Sequence, residues 1–112
     1  MRHSVGAAPT AAVLTKIFTV PIGYKANVSA VTVNVGAAIA KTFTVYWKHA
    51  DDPTLLVYLS RSQSAATQDS PAFSGNLIMQ SGDSIWFNSE AGAIPTIICS
   101  FDLYKENNAP YL

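Results

Sequence analysis

Ser84, Cys99 and the trio His49, Asp51 and Asp52 are the side chains whose types and spacing admit chemistry in this sequence. A serine set after Gly82-Asp83 presents a hydroxyl that attacks a carbonyl when a histidine takes its proton and an oxyanion hole receives the developing charge. A cysteine attacks as its thiolate, which forms beside a cation, a helix N-terminus or a metal. An imidazole and two carboxylates in one tight turn offer nitrogen and oxygen ligands to a cation. Each meets a plainer explanation. Both histidines, His3 and His49, precede Ser84, and Gly82-Asp83 satisfies a turn without further cause. Cys99 falls in the apolar parity of the run Ile97, Cys99, Phe101 and Leu103, which predicts a buried, inert thiol. Asp51-Asp52-Pro53 suits a solvated turn, and calcium needs more oxygen ligands than one short turn supplies. No zinc spacing of cysteine and histidine is present. A non-enzymatic chain is expected, with no catalytic residue, no cofactor and no metal.

The aromatic residues offer recognition rather than turnover. Trp47 and Phe87 belong to core-facing parities, whereas Tyr46, Tyr58 and Trp86 fall on the opposite face. Outward tyrosine and tryptophan are enriched at protein interfaces, and rings on a sheet face also stack on sugars. A sugar site further needs convergent polar groups, so the interface reading is preferred. Tyr111 and Leu112 join the candidate set, because burying either on a neighbour is worth roughly 1.5–3 kcal/mol. The candidate interface is therefore Tyr46, Tyr58, Trp86, Tyr111 and Leu112.

The elements that must position these residues read as β throughout. A β-branched and aromatic run over 13–20 is closed by Pro21 and Gly23, and a longer strand follows over 24–35. Within it Val28 and Ala30 lie on one face and Val31, Val33 and Val35 on the other, which predicts a bulge near Ala30 or Val31. Residues 42–49 alternate cleanly, 50–54 turn, and 55–59 form the next strand. The polar stretch 60–74 reads as a long loop or a weakly specified edge strand. Residues 75–79 and 84–88 flank the turn Gln80-Ser81-Gly82-Asp83 and predict a hairpin. Residues 96–104 close the domain as a strand through the core. Seven to eight strands without a helical period indicate an all-β fold, a single antiparallel β-sandwich with Greek-key or jelly-roll connections. The expected organisation is an N-terminal arm over 1–12, the sandwich over 13–104 and a C-terminal tail over 105–112, both ends extended.

Composition narrows the function classes. Seven basic side chains balance seven acidic ones, and only 12% of the 112 residues are charged. The cations are scattered singly, which argues against nucleic acid. So uncharged a surface suits life against other protein surfaces. One cysteine excludes an intrachain disulfide. No apolar stretch has the length to cross a bilayer, and residues 1–10 lack the apolar core of a signal peptide, so synthesis in a cytoplasm is expected.

The strand ending Phe18-Thr19-Val20-Pro21-Ile22-Gly23-Tyr24-Lys25-Ala26, the Val/Thr strand, the Tyr46-Trp47 strand, the segment Gly75-Asn76-Leu77-Ile78-Met79-Gln80-Ser81-Gly82-Asp83-Ser84-Ile85 and the closing strand together resemble small β-sandwich virion proteins of tailed bacteriophages. These comprise capsid decoration (cement) proteins and related neck, tail and head-fibre modules. The resemblance spans roughly residues 13–104. It implies a structural protein on the virion, capsid surface favoured, that forms a homo-oligomer, with a trimer favoured. Its implied partners are the major capsid protein or other virion proteins. The alternatives are a neck, tail or head-fibre component, or a carbohydrate- or receptor-binding module. Gly82-Asp83-Ser84 also resembles the opening of the serine-esterase motif, but the base of that family follows its serine, and no histidine does so here.

Overall fold

A computed structural model describes residues 2–36, 41–50, 56–65 and 70–105. It contains β1 (Arg2–Ala7), β2 (Thr15–Thr19), β3 (Tyr24–Asn34), β4 (Lys41–Lys48), β5 (Leu56–Ala65), β6 (Ser70–Met79), β7 (Ser84–Ser89) and β8 (Thr96–Lys105). They form two four-stranded sheets, A in the order β1-β8-β3-β6 and B in the order β2-β7-β4-β5, with every pairing antiparallel. The pairs β1–β8, β2–β7, β3–β6 and β4–β5 are nested like a long ribbon folded at its middle. Rolling that ribbon brings β3 against β8 and β4 against β7. This is the jelly-roll form of the β-sandwich.

Alternation builds the core between the sheets. Val28, Val31 and Val33 of β3 and Ile97, Cys99 and Phe101 of β8 meet Phe43 and Val45 of β4 and Ile85 and Phe87 of β7, all buried. The Phe18 ring of sheet B lies 4.3 Å from that of Phe101 in sheet A. The change of parity in β3 is made by Ser29, where the register against both β6 and β8 jumps from Val28 to Ala30. That is one residue before the expected bulge. β8 lies inside sheet A between β1 and β3, as its apolar parity indicates.

Two expectations are corrected. The turn over 80–83 does not make a hairpin, because β6 belongs to sheet A and β7 to sheet B. Turn residues stop a strand, but they do not dictate whether the next strand pairs with it or leaves for the facing sheet. The Pro21-Ile22-Gly23 turn likewise carries the chain from β2 in sheet B to β3 in sheet A. Secondly, the N-terminal segment read as an arm contains a ladder strand, β1, paired from Arg2↔Asp102 to Ala7↔Ile97. Its sequence alternates poorly, and its place is set by the open edge of β8. Of the two readings of the polar stretch 60–74, the edge strand holds: the stretch supplies the end of β5 and the start of β6, which are edge strands. Residues 66–69 of that stretch, 37–40, all of the turn over 50–54 but Ala50, and 106–112 lie outside the described residues.

The two crossover corners are zipped together. The Val20 N–H donates to the Asp83 carbonyl at 2.9 Å and the Gly82 N–H to the Val20 carbonyl at 3.0 Å. The Gly23 N–H donates to Ser81 Oγ at 3.2 Å, and the Ser81 hydroxyl donates to the Tyr24 carbonyl at 2.8 Å. Gly82 has φ of 85°, and a Cβ there would lie 2.9 Å from the Ala50 side chain. A left-handed backbone and close approach both call for glycine.

Candidate functional site

Because Phe43, Val45, Ile85 and Phe87 point inward, Tyr46 and Lys48 of β4 and Ser84 and Trp86 of β7 point out from sheet B. The register then sets them side by side. Tyr46 is opposite Tyr58 on β5 and opposite Trp86 on β7, and Trp86 is opposite Lys16 on β2. A row Tyr58, Tyr46, Trp86, Lys16 thus crosses all four strands of the sheet. The tyrosine rings pack with centroids 5.2 Å apart and planes tilted by 43°. Lys48 Nζ sits 5.1 Å from the Trp86 ring centroid, within cation–π range. The indole N–H of Trp86 donates to Ser84 Oγ at 2.8 Å. Three of the five expected interface residues, Tyr46, Tyr58 and Trp86, therefore form one patch; Tyr111 and Leu112 lie outside the described residues.

Beside this row is a shallow concavity of about 270 Å³, lined by Lys16, Thr19, Lys48, His49, Ser84 and Trp86 together with Ala50 and Gly82. No carboxylate lines it among the described residues. At the other end of the sheet a second concavity, of about 340 Å³, holds Thr42, Asn88, Ser89 and Glu90. Asn88 Oδ1 and Ser89 Oγ are buried, with no hydrogen bond among the described residues.

The candidate chemical residues are not assembled for turnover. Ser84 and His49 line the same concavity, yet among the described residues no hydrogen bond joins them. The His49 ring packs on Trp47 with centroids 4.1 Å apart. Asp83, only 2% exposed, has both oxygens engaged elsewhere. One accepts from the Ala50 N–H at 2.8 Å, and the other from the Gln80 N–H at 3.0 Å and the Trp47 indole at 3.3 Å. These charge-assisted bonds tie the end of β4 to the corner rather than orienting an imidazole. Sequence reasoning treated Asp83 only as a turn residue; its spacing from Gln80 hints at the local bond, but nothing in the sequence discloses the link to Trp47 and Ala50. Cys99 is fully buried, and desolvation pushes its thiol up to about 12, so it stays protonated at neutral pH. Asp51 and Asp52 lie outside the described residues, and among those described no three histidine, cysteine or acidic side chains gather to hold a metal.

No protein-family model matches the chain, and no curated protein sequence matches it. It is similar to a solved structure described as "Bacillus endospore appendages form a novel family of disulfide-linked pili". The likeness has a TM-score of 0.56 at 15% sequence identity and covers 96% of this chain and 88% of that one. At that identity it establishes a shared β-sandwich fold.

Proposed function

We propose that this chain is a non-enzymatic structural subunit of a tailed-phage virion, a capsid decoration protein that binds the assembled head in many copies through the outer face of sheet B. The observation that carries this reading is the continuous row Tyr58, Tyr46 and Trp86 across three adjacent strands. Isolated exposed apolar residues are ordinary, but a contiguous aromatic patch on a sheet face marks a surface that meets another molecule. A protein partner fits this patch better than a sugar. Lys48 covers the Trp86 ring, and the two tyrosines tilt against each other, so no open coplanar platform is offered. The mechanism is mass action: a subunit that binds only the assembled shell shifts the shell equilibrium toward that state. A trimer about a local axis would present the same patch three times.

The similarity to a pilus structure favours a second reading, a subunit of an extracellular appendage. Both readings describe a sandwich that functions by packing against copies of a protein. The linkage in this chain would be non-covalent, since Cys99 is its sole cysteine and is sealed in the core. Quantitative mass spectrometry of purified virions, scaled to the major capsid protein, tests the proposal. A copy number approaching that of the shell protein supports decoration. A few copies per particle point to a neck, tail or fibre position, and absence from particles overturns the virion reading.

A further inference from the structure

We infer that the concavity beside Trp86 is a carboxylate clamp, which receives an aspartate or glutamate side chain from the surface of the protein partner. The inference rests on the proposed assembly role and deepens it by naming the partner's chemistry. Lys16 approaches from β2, directly across from Trp86, and Lys48 approaches from β4, directly across from Ser84. The indole of Trp86 separates the two lysines and holds the Lys48 ammonium over its face. Thr19 and Ser84 bring hydroxyls to the same wall, and His49 adds an imidazole. Neither lysine is ion-paired to a carboxylate among the described residues, although the chain as a whole is neutral. Asp83, between the lining residues Gly82 and Ser84, has both carboxylate oxygens engaged in the corner. Among the described residues the clamp is thus lined by cations and donors and by no carboxylate.

Size and ring geometry select the ligand. About 270 Å³ is below the usual range of roughly 300–1,000 Å³ for pockets that enclose a free small molecule, and it accommodates one side chain. A sugar acid would need a bare ring to stack on, but the Trp86 face carries Lys48 and its N–H is engaged by Ser84. A carboxylate needs only the ammonium groups and hydroxyls. Tyr46 and Tyr58, adjoining on the same face, would cover the apolar surround of that acidic side chain and keep water from it.

The test is a titration of the full chain, labelled with ¹⁵N, with hexaglutamate peptide, followed through its two tryptophan indole N–H resonances. The inference expects the Trp86 resonance to move saturably and further than that of Trp47, with no response to hexaglutamine. The double variant Lys16→Gln/Lys48→Gln should weaken hexaglutamate binding by roughly tenfold, the sum expected for two exposed ion pairs. An unmoved Trp47 resonance in that variant reports that the fold is intact. Absence of a saturable shift, an unchanged affinity in the variant, or tighter binding of an oligouronate than of hexaglutamate would each overturn it. Particle occupancy separates this inference from its premise. Undiminished virion incorporation of the double variant overturns the clamp and leaves the decoration reading standing, whereas a protein that binds hexaglutamate but is absent from virions does the reverse.

Discussion

The outer faces of the two sheets differ in arrangement more than in content. Sheet A also exposes large apolar side chains: Ile78, Ile98 and Tyr104 are each 52% exposed. Each is isolated by register. Ile98 lies between Gly6 and Thr32, Ile78 opposite Asn27, and Tyr104 opposite Lys25. The rest of that face is knitted by polar contacts, such as the Asn27 amide donating to Asn76 Oδ1 at 3.1 Å and the Ser29 hydroxyl to the Ser100 carbonyl at 3.2 Å. On sheet B the register instead stacks Tyr58, Tyr46 and Trp86 in consecutive strands and brackets Trp86 with two lysines. Cross-strand neighbours are the unit that builds a patch. The aromatic patch on sheet B is therefore made by register, and composition alone would not separate the two faces.

The largest expected effect concerns what holds the sheet B face in place. Asp83→Ala leaves three N–H donors near Ala50, Gln80 and Trp47 without their acceptor, and is expected to destabilise the fold by about 3 kcal/mol in urea unfolding. A loss below about 1 kcal/mol would show that the corner does not depend on this carboxylate. Next, Tyr58→Ala should weaken particle binding by about 2 kcal/mol, the scale of an interface anchor, in a cosedimentation assay that leaves the melting temperature nearly unchanged. The matched change on the other face, Ile98→Ser, should alter both stability and particle binding by less than about 0.5 kcal/mol. An Ile98→Ser effect as large as that of Tyr58→Ala would erase the distinction between the faces.

The remaining effect is confined to alkaline pH. Burial raises the Cys99 thiol from 9.0 to about 12 in the folded chain. The stabilisation this gives the protonated native state is present in full below pH 9.0 and is lost as pH rises toward about 12, because the unfolded chain releases the proton first. Stability of the wild type should therefore fall more steeply than that of Cys99→Ala across this interval. A disulfide-exchange reagent at pH 8 should leave the native thiol unmodified and label the unfolded one. Rapid labelling of the native protein would contradict the sealed position of Cys99.

Much of the fold was legible because burial imprints a period of two. The inward sets Phe43 and Val45 of β4 and Ile97, Cys99 and Phe101 of β8 can be read directly, as can the parity break that Ser29 resolves. The outward placement of Tyr46, Tyr58 and Trp86 followed from the same alternation. Register was not legible, because a period of two is equally satisfied by any even slip and does not name the neighbouring strand. Hence the corner over 80–83 was read as a hairpin although β7 pairs with β2 and β4, and β1 went unrecognised because its role depends on an open edge of β8. Lys16 and Lys48 looked like scattered surface cations until pairing placed them around one indole.

The central claim is that sheet B, and not sheet A, meets the partner. Hydroxyl-radical footprinting of the free protein and of the protein on assembled particles tests it directly, since both faces carry an oxidisable tyrosine. The account predicts that Tyr58 and Trp86 lose modification on particles while Tyr104, at 52% exposure on sheet A, keeps it. Protection of Tyr104 with Tyr58 and Trp86 still fully modified would contradict the account.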